Sequence, residues 1–185
     1  MNTDQSPFYY ELRTTQTLDF IGENKTYLTI GSESRTTHLY TIQPSATADG
    51  HLLAPLLICF LETTGNEFGP IVAQRVQENF SENVFVTCSK SRKLTQKQVK
   101  EWITHCFLPN VSGETLLLLD SWSGQTEVSL QRMIQDHTGK DAKAGDDPQV
   151  LIKVIPPKTT PTCQPLDVYF FPVIHSTTDF HSNNN

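Results

Sequence analysis

The chain has 185 residues, with 14 Lys and Arg against 20 Asp and Glu and a formal net charge of −6. That length suits one domain with a sizeable core and is short for two, and the acidic balance excludes a protein that grips nucleic acid by bulk positive charge. Neither a run of about 18 apolar residues nor a basic patch leading into an apolar stretch is present, so no membrane span and no secretory leader is expected, and an intracellular protein follows.

In chain order, residues 25–31 (KTYLTIG) and 36–43 (TTHLYTIQ) are rich in β-branched and aromatic residues and predict strands. Asp49-Gly50 marks a turn into the apolar run Leu52 to Leu61, giving an antiparallel hairpin or meander. Val84 to Thr87 predicts a short strand. From Thr95 to Phe107 the apolar residues Val99, Trp102, Ile103, Cys106 and Phe107 follow helical spacing. Thr95 with Gln98 forms a capping box and Pro109 is expected to stop the helix. Thr115 to Leu119 predicts a strand ending at Asp120, followed by a helix with Leu130, Met133 and Ile134 on one side and Gly139 as its close. Lys140 to Pro148 reads as an inserted surface loop. Val150 to Ile155 predicts the last strand, ended by Pro156-Pro157, with Pro165 in the first turn of a final helix. The polar tail HSTTDFHSNNN is expected to be disordered. Paired strands followed by alternating strands and helices imply an α/β fold, a mixed sheet flanked by helices, with ligands gathering at strand ends.

The four cysteines, Cys59, Cys88, Cys106 and Cys163, form no C-x-x-C pair, so neither a zinc site nor a disulfide framework is expected. Buried free thiols fit better. The six histidines are scattered, and none pairs with another at ligand spacing. Lys90, Arg92, Lys93, Lys97 and Lys100 fall within eleven residues that contain no acid. Lys90, Arg92, Lys93 and Lys97 are candidates for contact with a nucleic-acid backbone, and a solvated loop and helix face stays open as the plainer reading.

Within LLLLDSWSGQ (residues 116–125), an Asp at the end of a buried strand can be a metal ligand, a nucleophile or merely a helix cap. Trp122 stands where an aspartyl-phosphate enzyme would carry a second acid, and Ser121 and Ser123 lack the G-x-S-x-G elbow of a serine hydrolase. Asp167, in QPLDVYFF, sits at a helix start where the macrodipole alone stabilises a carboxylate by roughly 0.3–1 kcal/mol. Asp4 lies in a polar cluster that would pass as a turn.

Taken together, these segments resemble the pogo, Tigger and jerky group of DDE transposases. NTDQSPFYYELRTTQTLDF is similar to the family's opening block, N-x-D-[QE]-[ST]-G-F, which carries its first acid. LLLLDSWSGQ resembles the block of the second acid, and VIPPKTTPTCQPLDVYFF resembles the third, I-P-P-x-T-T-x-x-x-Q-P-L-D-V. VTCSKSRKLT matches the region between them, so the resemblance covers nearly the whole chain. It implies a ribonuclease-H-like domain over residues 1–175, its first strand truncated because only Met-Asn-Thr precedes Asp4, and a tail over 176–185. It also implies that Asp4, Asp120 and Asp167 are catalytic carboxylates holding two Mg²⁺ (or Mn²⁺) ions, which in such sites lie about 3.5–4 Å apart and act on a DNA phosphodiester. DNA as partner, a nuclear location and an allowed homo-oligomer complete the expectation. The alternative is an inactive, domesticated or fragmentary module that binds nucleic acid or protein. The sequence departs from the pattern at Pro7, in place of Gly, at Gln125, in place of His, and in the long spacing from Asp120 to Asp167.

Overall fold

The computed structural model describes residues 1–9, 39–64, 67–122, 124–141 and 149–174. The chain is mixed α/β, with strands β1 Asn2–Thr3, β2 Ser6–Tyr9, β3 Leu39–Gln43, β4 Ser45–Ala46, β5 Leu56–Leu61, β6 Val84–Ser89, β7 Glu114–Leu119 and β8 Gln149–Val154. Its helices are α1 Pro70–Asn79, α2 Gln96–Glu101, α3 Glu127–Asp141 and α4 Thr160–Cys163. Two stretches are wound as wider π-helix, Trp102–Phe107 directly after α2 and Leu166–Phe170 after α4.

Two mixed sheets form, in the orders β4-β1-β7-β8 and β2-β3-β5-β6. The first antiparallel ladder pairs Asn2 with Ala46 and Thr3 with Ser45, and the second pairs Ser6 with Ile42 and Tyr9 with Leu39. The register is unchanged from one ladder to the next, so residues 2–9 and 39–46 behave as one long antiparallel pair with an interruption. Pro44 explains the interruption: it sits opposite Asp4 in that register and has no N–H to give the ladder. The remaining neighbours, β1 with β7, β7 with β8 and β5 with β6, are parallel.

Alternate residues of a strand face opposite sides, and β5 shows where the cores lie. Leu57 and Cys59 belong to a cluster with Val99, Trp102, Ile103, Phe107, Leu117, Leu119, Leu130, Ile134 and Ile152. Leu56 and Ile58 pack instead on a second cluster of Phe8, Ile42, Ala46, Leu166 and Phe171. α2, its π-helical extension and α3 thus cover one face, and the segment from Leu166 onward covers the other. Burying a side chain of Leu, Ile or Phe size contributes roughly 1.5–3 kcal/mol each, so the two clusters hold the layers together.

The expected helical face is as spaced: Val99, Trp102, Ile103, Cys106 and Phe107 are all buried. The capping box is formed, Gln98 Oε1 accepting from Thr95 N–H at 3.2 Å. Buried Gln98 also donates from Nε2 to the Cys88 carbonyl at 2.8 Å, tying α2 to β6. Cys59, Cys88 and Cys106 are buried free thiols, and Cys163 is free and exposed.

Several expectations are corrected. Pro109 lies inside a 3-10 turn, Leu108–Asn110, because the missing N–H costs nothing in a first turn. α3 runs through Gly139 to Asp141, since one interior Gly costs only about 1 kcal/mol against Ala. The apolar run from Leu52 becomes strand only at Leu56. β7 is not buried on both sides: Leu117 and Leu119 are enclosed while Leu116 is 46 % exposed. α1 was not foreseen at all, and none of its residues is buried. The expected strand at 25–31, the part of the expected loop at 140–148 beyond the end of α3 at Asp141, and the tail from 175 lie outside the described residues. No helix among the described residues is long and apolar enough to cross a membrane.

Candidate active site

The parallel register of β1 and β7 sets Asn2 beside Leu118. Two residues further along each strand stand Asp4 and Asp120, so the two carboxyl groups leave neighbouring backbones that run about 4.7–4.9 Å apart. At Asp4 the ladder is broken by Pro44, and the local polar groups find other partners. Asp4 Oδ1 accepts the Gln5 N–H at 2.7 Å, and Thr3 Oγ1 donates to the Pro44 carbonyl at 2.7 Å. Asp120 directly follows β7, and its Oδ1 accepts the Trp122 N–H at 3.1 Å.

Asp167 arrives in the first turn of the π-helical segment Leu166–Phe170. Asn2 fixes that segment. Its buried side chain donates from Nδ2 to the Leu118 carbonyl at 3.2 Å and accepts the Leu166 N–H on Oδ1 at 3.2 Å. One amide therefore ties β1, β7 and the start of the helix that carries Asp167. Thr3, the next residue, points to the opposite face and joins a buried network in which Ser45 Oγ donates to Thr3 Oγ1 and accepts from Trp102 Nε1 at 3.2 Å.

The electrostatics record how closely the acids sit. Burial first, then the Asp167 and Asp120 charges and a hydrogen bond shared with Asp167, push Asp4 up to about 7, against the pull of the Gln5 N–H. Asp120 is also raised, by burial and then by Asp167, with the Trp122 N–H opposing. The structure thus sets Asp4 and Asp120 on one cavity, and the charge of Asp167 acts on both.

Asp4 and Asp120 line a cavity of about 430 Å³ together with Gln5, Pro7, Trp122, Arg92 and Lys93. The two basic residues follow the C-terminal end of β6, in a turn braced by the buried Ser89, whose Oγ donates to the Lys93 carbonyl at 2.8 Å. Arg92 is held at φ 57°, a left-handed conformation uncommon for a side-chain-bearing residue. Of the four basic candidates, then, Arg92 and Lys93 reach the acids' cavity. Lys97 is engaged on α2 with Glu101 at 3.7 Å, and Lys90 is exposed outside the lining.

The donor chemistry of the three acids suits a hard divalent ion, since Mg²⁺ takes oxygen ligands and keeps several waters. Among the described residues no three His, Cys, Asp or Glu side chains form a ready-made cage. Sequence reasoning missed Asn2 and Trp122 as site residues, although both stand inside the quoted blocks. Gln125 and Gln164, also within those blocks, are buried, with amide atoms that find no partner among the described residues.

Two outcomes follow. Replacing Asn2 by Ala leaves the buried Leu166 N–H without an acceptor, a cost of about 1–3 kcal/mol; denaturant unfolding and faster hydrogen exchange at Leu166 measure it, and unchanged values contradict the tie. The second concerns pH. The folded chain keeps a proton on Asp4 up to about 7 whereas an unfolded Asp releases it near 3.8, so the folded state binds more protons between those values. Stability from this group is whole below pH 3.8 and drains as pH rises to about 7, by a few kcal/mol in all at about 1.4 kcal/mol per pKa unit. In a divalent-free buffer Asp4→Asn should accordingly melt several degrees above the unsubstituted protein at pH 8, and the gap should close near pH 4; a variant that is less stable at pH 8 refutes this.

The chain matches no protein-family model, no curated protein and no solved structure.

Proposed function

We propose that this chain is a DDE-type, metal-dependent DNA endonuclease or transposase-derived domain of ribonuclease-H-like fold, acting on DNA phosphodiesters in the nucleus. One observation carries the reading: Asp4 and Asp120 stand side by side on parallel neighbours, and Asp167 couples electrostatically to both. Two of the three acids stand just past the ends of neighbouring parallel strands and the third in the helical segment Leu166–Phe170, in the order the resemblance requires. Two mixed sheets with helical segments packed on them are in keeping with the fold assignment.

In this reading Asp4, Asp120 and Asp167 hold Mg²⁺ or Mn²⁺. The bound ions would supply activation of an attacking water or 3′-hydroxyl and stabilisation of the leaving oxygen. The chain's own residues do the rest. Asn2 sets the approach of Asp167, Pro44 opens the ladder so that Asp4 faces the cavity, and the low-dielectric surroundings strengthen whatever charge the acids meet. Arg92 and Lys93 draw a phosphodiester backbone toward a site that is otherwise negative.

A second reading keeps the fold without the chemistry, as a module that binds nucleic acid or protein. The overall charge of −6 and the lack of a compact three-ligand cage among the described residues favour it.

Nicking of a supercoiled plasmid in Mg²⁺ or Mn²⁺ separates the two. The first reading expects cleavage that Asp120→Asn lowers by about 100-fold or more, the scale on which removing one group that stabilises transition-state charge is felt. Equal activity in both proteins, or none in either, leaves the second.

A further inference from the structure

The cavity beside the acids has a feature that a phosphodiester alone does not use. Its lining joins two carboxylates and two cations to Trp122, with Gln5, Pro7, Leu39 and Thr41 completing it. Trp122 is half-buried, packs against the main core and also lines the cavity. Its ring is also seated. A Cβ built on Gly124 would overlap the six-membered ring, so the glycine two residues on is what lets the indole lie flat against the backbone. The backbone N–H of Trp122 is held by Asp120, which ties the main chain that bears the indole to the acid.

Size and chemistry agree on a ligand class. A volume of about 430 Å³ lies at the small end of pockets that enclose a compact organic ligand. An aromatic side chain, a pair of cations and a pair of acids in one lining match the parts of a nucleotide: a base with a π-face, a phosphate, and the reacting centre. A base inside a duplex cannot reach such a side chain, because its faces are already stacked. An unpaired one can.

We propose that this cavity receives one unpaired nucleotide of the DNA strand, its base stacked on Trp122 and its phosphate drawn by Arg92 and Lys93, next to the bond presented to the acids. The inference rests on the nuclease reading and adds to it a substrate requirement: a strand end, a gap or a base displaced from the helix. Gly124 then serves as a positioning residue, acting through the indole it leaves room for.

The protein carries its own reporter. Of its two tryptophans, Trp102 is 0 % exposed and hydrogen-bonded to Ser45, so a fluorescence change on binding belongs to Trp122. The full chain is titrated with a short oligothymidylate in Ca²⁺, with binding followed in parallel by anisotropy of a labelled copy. Saturable quenching is expected, with affinity falling roughly 5- to 150-fold in Trp122→Ala and staying within a few fold in Trp122→Phe. Gly124→Ala, which keeps the tryptophan and displaces its ring, should weaken binding as well. A blunt duplex without unpaired bases should bind the unsubstituted protein and Trp122→Ala equally. Circular dichroism checks that each variant folds, and the Phe variant keeps the test decisive where the Ala variant does not. Unmoved fluorescence with equal affinity across the variants overturns the proposal. If the protein still nicks DNA in an Asp120-dependent manner, only the nucleotide pocket is lost; if neither nicking nor binding occurs, the nuclease reading falls and the pocket with it.

Discussion

Two carboxyl groups on adjacent parallel strands, with a third delivered from a helix, repel one another inside a partly desolvated cleft, and the rest of the site answers that repulsion. Asp4 is held where burial and its neighbours push its titration up to about 7. A fold that needed only stability would not place acids this way, because unpaired carboxylates out of water weaken the folded state. Perturbed groups gathered in one cleft are a recognised mark of function, although ion-pair networks can produce them too.

What makes the arrangement possible is modest and local. Pro44 opens the ladder opposite Asp4, and the unchanged register on both sides of the gap keeps the sheet intact around it. Asn2 then joins β1, β7 and the Leu166–Phe170 segment through two hydrogen bonds of one amide. On the other face of the same strand, Thr3 and Ser45 connect to Trp102 and so to the main core. Side chains before Asp4 thus reach both layers, and the acid inherits its position from both. The basic turn at Arg92 and Lys93 comes to the same cavity from the end of β6.

Much of this was legible from the residues, for identifiable reasons. α2 announced itself through a capping box and a buried stripe, which tertiary packing then reinforced. β7 and β8 were readable as apolar runs, but their one-sided exposure was not, since periodicity cannot show which face a neighbouring helix leaves open. α1 escaped notice because a helix that buries nothing has no apolar stripe to find. The π-helical winding of Trp102–Phe107 preserved the same buried residues that an α-helix would have, so the sequence carried no sign of it. For the site, resemblance supplied the three acids, whereas Asn2 and Trp122 required geometry: the one acts through a cross-strand register, the other through a cavity wall. Lys90 and Lys97 shared a charge run with Arg92 and Lys93, yet of the four only the pair in the turn lines the cavity of Asp4 and Asp120, because charge runs say nothing about direction.

On the function proposed above, the acids would exchange the proton on Asp4 for a divalent ion. Calorimetric titration with Mn²⁺ at several pH values, in buffers of different ionisation enthalpy, counts the protons released on binding. The account predicts release below pH 7 that fades above it, affinity that rises with pH over the same range, and loss of both in Asp4→Asn. Binding that is absent, or that is independent of pH and unaltered by that substitution, would contradict it.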